Sequence, residues 1–156
     1  MAIAMKLKDY LDHEGIHYDV VNHPYSVTSM QAAEEAHIPG DKLAKAVLLH
    51  DSNGYVVAVV PATHKVKLGK LRNLYGRYFS LASEYEIHKV FDDCSMGAVP
   101  PLGKAYATDV IIDDALDKND DIYFEAGDHT SLVHVSRDDF HALLHNVPHG
   151  SISRHI

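Results

Sequence analysis

Apolar residues along the chain switch between helical spacing and strict alternation, which predicts a protein of the mixed α/β class. Leu7, Tyr10 and Leu11 recur at helical spacing ahead of Gly15, so we expect a helix over residues 3–14 that stops at this glycine. Capping residues and apolar spacing predict further helices from Thr28 to about Pro39, from Lys67 to Tyr75, from Ser83 onwards and from Ser136 to about His145.

Short apolar runs predict the strands of one sheet. The runs 43–49 and 55–60 are joined by Asp51-Ser-Asn-Gly54, which is a strong signal for a β-hairpin. Because hairpins occur among strands that alternate unevenly with helices, we expect a strongly curved, mixed sheet of about six or seven strands with surrounding helices. The other predicted strands cover residues 17–21, 78–81, 106–112, 122–125 and 132–135.

The pattern contains no internal repeat and no Pro/Gly/Ser-rich linker, so we expect a single domain over residues 1–156. Residues 146–156 lack a core pattern, and we expect them to form a flexible tail. One cysteine, Cys94, excludes a disulfide within the chain and favours the reducing cytoplasm. The chain also lacks the roughly 18 consecutive apolar residues that a membrane helix needs.

The charge distribution indicates a specific anionic partner. The formal net charge is −8, which argues against a general DNA-binding protein. Residues 52–83, however, contain no Asp or Glu and carry five cations, so a solvated helix face and a binding face for a specific anionic partner are both open at this point. The five cations are Lys65, Lys67, Lys70, Arg72 and Arg77.

Lys45 interrupts an otherwise apolar strand, Leu43-Ala-Lys-Ala-Val-Leu-Leu49. A lysine in this position either extends to the surface from an edge strand or points into a cleft, where it meets a negative charge. The sequence of the strand leaves both interpretations open.

Two later segments combine glycine with residues that bind ligands. Gly97 and Gly103 with Pro100 and Pro101 form a loop whose exposed backbone can orient a water or a carbonyl group, although a plain connecting turn has the same composition. His129 follows the predicted strand 122–125, where it could contact a ligand or face solvent.

The order of these segments resembles the YbaK-like, prolyl-tRNA editing family. The resemblance rests on the Lys45 strand, Val56-Val-Ala-Val-Val-Pro61, the Gly97-x-x-x-Pro101 loop and Ala126-Gly-Asp-His129, and it extends from about residue 23 to the last helix. It implies a mixed α/β domain with a curved, barrel-like sheet. It also implies an aminoacyl-tRNA deacylase that edits mischarged tRNA in trans, with tRNA-Pro carrying a small wrong amino acid as substrate. It also implies substrate-assisted attack by water, and a prolyl-tRNA synthetase or another synthetase as partner.

The resemblance further assigns roles to individual residues. It implies catalytic roles for Lys45, Gly97 and Pro101, and substrate-binding roles for Ala46, Ala98, Val99, Gly127, His129 and Thr130. Together with the basic window, it makes Lys65, Lys67, Lys70 and Arg72 the candidate tRNA-binding residues. Ala46 departs from relatives that carry Thr or Asn there, so the amino-acid specificity is open.

Other functions have weaker support in the sequence. A non-catalytic module that binds tRNA or a small anion is the main alternative, and a hydrolase that depends on Cys94 is the second. His141, His145 and His149 have spacing that could hold a metal, but no further ligand completes the set, so we expect none. The absence of GxxxxGK[ST] and GxGxxG motifs leads us to expect no ATP, dinucleotide or other cofactor.

Overall fold

The computed structural model describes residues 3–156, so residues 1 and 2 of the expected domain lie outside the described part of the chain. Short 3-10 helices cover Gly40–Lys42, Gly103–Tyr106 and Asp114–Lys118. The α-helices are α1 (Met5–Glu14), α2 (Ser29–Glu35), α3 (Leu68–Tyr75), α4 (Glu84–Val90) and α5 (Arg137–Leu143). The strands are β1 (Asp19–Asn22), β2 (Leu43–Asp51), β3 (Gly54–Pro61), β4 (His64–Val66), β5 (Ser80–Leu81), β6 (Asp109–Asp113), β7 (Asp121–Glu125), β8 (Ser131–Ser136), β9 (His149–Gly150) and β10 (Ser153–His155).

The predicted helix signals act as expected at several ends. Gly15 ends α1 in the left-handed conformation, with φ of 65°. The Thr28 side chain accepts a hydrogen bond from the Gln31 N–H at the start of α2, and Ser83 and Glu86 form a reciprocal capping box on α4. Local backbone conformation and hydrogen bonding therefore fix the end of α1 and the starts of α2 and α4.

The main sheet is mixed, which confirms the predicted α/β class. Its order is β1-β8-β7-β2-β3-β6-β9, with β5 paired to β2 outside this path. The β2–β3 hairpin is antiparallel, whereas β2 pairs with β7, and β3 with β6, in parallel. The path runs from β1 to β9 and does not close, so the sheet is open and not a complete barrel.

One edge of β2 has an interruption in its strand pairing. Along this edge β2 pairs with β7 only at Leu43 and Ala44, and it pairs with β5 only at Leu49 and His50. Within residues 3–156, no strand pairs with the same edge between these two contacts. A gap therefore opens in the sheet beside residues 45–48.

Alternate residues of the central strands supply two hydrophobic cores on opposite faces of the sheet. Val57 and Val59 of β3 face the core that contains α1 and α5, whereas Val56, Ala58 and Val60 face the core that contains α3. A smaller cluster lies beneath α2. Strand β2 pairs with β3 on one side and with β7 and β5 at the two ends of the other, so Lys45 lies within the sheet, at the unpaired part of this second edge.

Two boundary predictions need correction. The second helix ends at Glu35, before Pro39. The strand expected over 106–112 begins only at Asp109, because residues 103–106 form a 3-10 helix and Ala107 takes a left-handed conformation with φ of 53°.

No described helix is both long and apolar enough to cross a membrane.

The expected flexible tail over 146–156 is also corrected, because this segment forms β9 and β10. Strand β10 pairs antiparallel with β4, and Ile152 is fully buried in the α3 core. The Asp113 carboxylate accepts hydrogen bonds from the Ile152 N–H at 3.0 Å and from the Ser153 hydroxyl at 2.6 Å. One apolar residue and one buried carboxylate thus anchor a segment that shows no core periodicity.

Candidate functional site

A cleft of about 260 Å³ occupies the gap beside β2. Its walls come from β2, the segment that leads into α2, helix α4, and the loop after α4. It is located where two parallel strands, β2 and β7, part beyond Ala44 and Phe124, a position in which α/β proteins commonly bind ligands. The lining residues are Val27, Thr28, Ser29, Lys45, Ala46, Ile87, Met96, Gly97 and Val99.

Lys45 contributes the cationic group of this cleft. Its side chain is half-buried, and the ammonium group donates a 2.6 Å hydrogen bond to the backbone carbonyl of His64. Burial lowers the pKa of Lys45, because removal from water disfavours the charged form. Among the described residues no carboxylate forms an ion pair with this ammonium group.

Gly97 brings the loop after α4 close to the opposite wall. Its φ is 85°, and a Cβ atom at this position would lie 2.9 Å from the Val27 carbonyl oxygen, so only glycine fits without a shift of the backbone. Within the described chain, the backbone N–H groups of Gly97 and Val99 donate no hydrogen bond. Two residues with free backbone donors therefore line the same cleft as Lys45.

The neighbouring turn between β7 and β8 supports this loop from behind. The Gly127 N–H donates to the Ala98 carbonyl at 3.0 Å, and the Ser95 N–H donates to the Gly127 carbonyl at 2.8 Å. Gly127 has φ of 102°, and a Cβ there would lie 2.6 Å from the Ala4 Cβ. Gly127 thus permits close packing beneath the loop.

An apolar second cleft of about 240 Å³ adjoins the first. The two share Ala46, Ile87 and Val99. The second cleft is completed by Val47, Leu48, Leu81 and Ala82, so its lining contains no charged side chain. Ala46 lies at the junction of a charged and an apolar compartment.

The structure brings four of the expected site residues together and leaves five outside the cleft lining. Lys45, Ala46, Gly97 and Val99 line the cleft. His129 lies next to Gly97, where its Cε1 atom would be 3.4 Å from a Cβ at position 97. The residues behind the lining are Ala98, Pro101, Gly127 and Thr130, of which Ala98, Pro101 and Gly127 are buried.

Five lining residues were not expected from the sequence, namely Val27, Thr28, Ser29, Ile87 and Met96. Thr28 was identified only as a helix cap. A capping residue has an exposed position at a helix start, and this is the one sequence signal that could have placed the 27–29 segment at a site.

The basic window forms a surface next to β4, with some of its charges already paired. Lys65 and Arg72 are exposed. The Lys70 ammonium donates to the Ser153 carbonyl at 2.9 Å, and the Arg77 guanidinium forms a bidentate pair with Asp51 at 2.7 and 2.8 Å. Lys65, Lys67 and Arg72 are therefore the members of the window best placed to meet an external anion.

Cys94 has the environment of a structural cysteine. It is 8% exposed and its sulfur lies 3.2 Å from the Tyr106 hydroxyl. Burial raises the pKa of the Cys94 thiol to about 12, so the thiolate is scarce at neutral pH. Cys94 is not among the lining residues of the cleft.

The three histidines with metal-ligand spacing do not converge as a set. The His141 and His149 rings stack with centroids 5.6 Å apart, and both rings contact Asp117. His145 is exposed, and its backbone carbonyl accepts a hydrogen bond from the Lys104 ammonium group. None of these residues lines the cleft.

Solved structures with the same fold cover nearly the whole chain. One, named as a candidate trans-editing enzyme for prolyl-tRNA synthetase, has a TM-score of 0.84 and 21% identity over 97% of this chain and 96% of its own. A scaffold protein from computational epitope grafting has a TM-score of 0.84 and 19% identity, over 98% of this chain and 97% of its own. A hypothetical protein, APE2540, has a TM-score of 0.84 and 17% identity over 96% and 99%.

No curated protein shows significant similarity to the chain. The model of the aminoacyl-tRNA editing domain family matches residues 23–143. This region contains β2, the Gly97 loop and the β7–β8 turn, and thus the whole lining of the cleft. With most of its length matched, the chain belongs to the aminoacyl-tRNA editing domain family.

Proposed function

We propose that the protein is a trans-editing aminoacyl-tRNA deacylase that hydrolyses tRNA-Pro carrying a small wrong amino acid. The main support is the cleft itself, which is lined by Lys45, with its half-buried ammonium group, and by Gly97 and Val99, whose backbone N–H groups donate no hydrogen bond within the described chain. Ester hydrolysis requires stabilisation of a developing oxyanion, and a fixed cation and backbone donors both supply it.

Lys45 binds the terminal phosphate or the oxyanion in this mechanism. The His64 carbonyl orients its ammonium group but does not neutralise the charge. A point charge is sufficient for either role, because neither demands bidentate geometry. Partial burial strengthens the interaction by lowering the local dielectric constant.

Water is the attacking group, assisted by the neighbouring hydroxyl of the substrate's own ribose. Among the described residues, no hydroxyl or thiol that lines the cleft is hydrogen-bonded to a histidine or carboxylate side chain. Side-chain nucleophiles normally require such a base. An aminoacyl ester is already activated, so a positioned water is adequate.

The acceptor stem of the tRNA lies against the basic surface beside β4. Lys45 contacts His64, which directly precedes Lys65, so the cleft and this surface meet at β4. The RNA phosphates would contact Lys65, Lys67 and Arg72. We place the protein in the cytoplasm, where it encounters charged tRNA and a prolyl-tRNA synthetase or another synthetase.

A panel of mischarged tRNAs tests the proposal. Purified wild type, Lys45→Ala and Cys94→Ala proteins are assayed for release of alanine, cysteine, serine and proline from tRNA-Pro. The proposal requires turnover by wild type and Cys94→Ala and a loss in Lys45→Ala. Binding without turnover would favour a non-catalytic module, and a loss confined to Cys94→Ala would favour a thiol enzyme.

A further inference from the structure

An exposed tyrosine stands beside the cleft and has no role in the packing of the core. Tyr25 is 68% exposed. Its neighbours His23 and Ser26 are buried, and Val27, two residues further on, lines the cleft. A large aromatic side chain with this exposure on an otherwise anchored segment indicates a contact surface.

The backbone on both sides of Tyr25 is fixed. The His23 N–H donates to the Thr130 carbonyl at 2.9 Å, and the Ser26 N–H donates to the His129 carbonyl at 3.1 Å. These hydrogen bonds tie the segment to the β7–β8 turn. The Tyr25 ring is therefore displayed from a rigid support, which lowers the entropy lost when a ligand stacks on it.

The Tyr25 ring is also supported by a second ring. Its centroid lies 5.0 Å from that of His129, with 53° between the planes. His129 in turn lies next to Gly97, which lines the cleft. The two rings thus extend from the Gly97 wall outwards.

Given the proposed function, on which this inference rests, the aromatic pair matches one part of the substrate. The ester would lie between Lys45 and Gly97, and the terminal nucleoside, whose ribose carries the ester, would lie directly outside it. The 3′ end of tRNA is unpaired, and unpaired bases are recognised by stacking on aromatic side chains. We propose that Tyr25, supported by His129, is the stacking surface for an unpaired 3′-terminal base of tRNA.

Fluorescence of uncharged RNA tests this inference without any need for deacylation. An acceptor-stem hairpin of tRNA-Pro carries 2-aminopurine in place of its terminal adenine, and stacking on Tyr25 quenches this base. We expect Tyr25→Phe to retain quenching. Tyr25→Ala should lose quenching and raise Kd by about five- to a hundredfold, because stacking on an aromatic ring contributes roughly 1–3 kcal/mol per base.

Two controls separate base stacking from other effects. Tyr85→Ala removes a tyrosine that is 77% exposed but does not line the cleft, and it should leave quenching unchanged. A hairpin without its unpaired 3′ nucleotides should bind wild type and Tyr25→Ala equally.

Full quenching by Tyr25→Ala, or an effect of Tyr25→Ala on synthetase binding alone, would overturn the inference. Deacylation that persists in that case would leave the proposed function standing, whereas quenching without deacylation would support the inference and contradict the proposed function.

Discussion

The Lys45 ammonium donates a 2.6 Å hydrogen bond to the His64 backbone carbonyl, and this contact joins the cleft to β4. A carbonyl oxygen orients an ammonium group without cancelling its charge. Since no described carboxylate pairs with Lys45, an anionic ligand is the partner that would compensate for its desolvation. The same strand continues into Lys65, so a bound polyanion can extend from the cleft onto the basic surface.

Lys45→Ala should lower the rate of deacylation by about tenfold or more while the protein stays folded. A factor of ten corresponds to about 1.4 kcal/mol of transition-state stabilisation, which is modest for a charge in a partly desolvated cleft. Initial rates on alanyl-tRNA measure the effect, and circular dichroism confirms the fold. Wild-type turnover by the folded variant would remove Lys45 from the mechanism.

Gly97→Ala should lower activity by about ten- to a hundredfold, because the new methyl group would lie 2.9 Å from the Val27 carbonyl and displace the loop. Gly15→Ala is the matched control: Gly15 also has positive φ, 65°, but no atom lies within 4 Å of its added Cβ. Each variant should lose about 1 kcal/mol of stability from an alanine at positive φ, and the contact with the Val27 carbonyl adds to the loss in Gly97→Ala. Equal losses of activity in Gly97→Ala and Gly15→Ala would show that the position of the Gly97 loop does not determine the rate.

The sequence allowed the chemistry of the cleft to be predicted better than its walls. Lys45 was recognisable because a charge in an apolar strand is unusual, and Gly97 because its loop combines two glycines with two adjacent prolines. The gap beside residues 45–48 depends on where β5 and β7 stop pairing with β2. Such pairing is set by contacts distant in sequence, which local periodicity does not contain.

The strands of the C-terminal segment, residues 146–156, could not be predicted from the sequence for a related reason. Its anchoring depends on Ile152 and on the Asp113 side chain, which come together only in the folded sheet. A two- or three-residue strand offers too few positions for an alternating pattern to show. Conversely, the β2–β3 hairpin was predictable, because its turn residues and both strands are contiguous.

Neutralising Lys65, Lys67 and Arg72 together should weaken tRNA binding. The slope of log K against log salt should fall by roughly 0.7–0.9 for each phosphate that the variant no longer binds. A triple variant at Lys6, Lys8 and Lys89 changes the net charge equally outside the basic window and should keep the wild-type slope. An unchanged slope in the variant at Lys65, Lys67 and Arg72 would show that the basic surface is exposed to solvent but does not bind tRNA. Lys70 is left intact, because its bond to the Ser153 carbonyl stabilises β10.

Substrate preference should depend on Ala46 and His129. Ala46 offers only a methyl group where the charged and apolar clefts meet, so we expect alanine to be preferred over proline as the esterified amino acid. Ala46→Asn should alter the ranking of substrates with little effect on stability, and His129→Ala should relax it more than it lowers the best rate. Initial rates on tRNA charged with alanine, cysteine, serine and proline decide this. An equal loss on all four in His129→Ala would mean a catalytic or structural role instead.

Glu125 should make the folded state less stable as the pH rises. Its side chain is 3% exposed, and one carboxyl oxygen has no hydrogen-bond partner in the described structure. Burial, with a smaller contribution from the Asp128 carboxylate, raises the pKa of Glu125 to about 8. An unfolded glutamate titrates near 4.3, so between these values the folded state binds the extra proton. The stability from protonated Glu125 is complete below about pH 4 and is lost as the pH rises towards 8.

Glu125→Gln should remove this pH dependence, because the amide resembles the protonated carboxyl group in shape but does not ionise. We expect the variant to match wild type within about 1 kcal/mol near pH 5, where wild-type Glu125 is protonated. Near pH 9 it should exceed wild type by a few kcal/mol, since each unit of pKa shift corresponds to about 1.4 kcal/mol. Urea unfolding at intervals from pH 5 to pH 9 measures the difference, with the exposed Glu35→Gln as the control. Parallel stability curves for wild type and Glu125→Gln would show that the folded state binds no extra proton at Glu125 over this pH range, and would contradict the raised pKa.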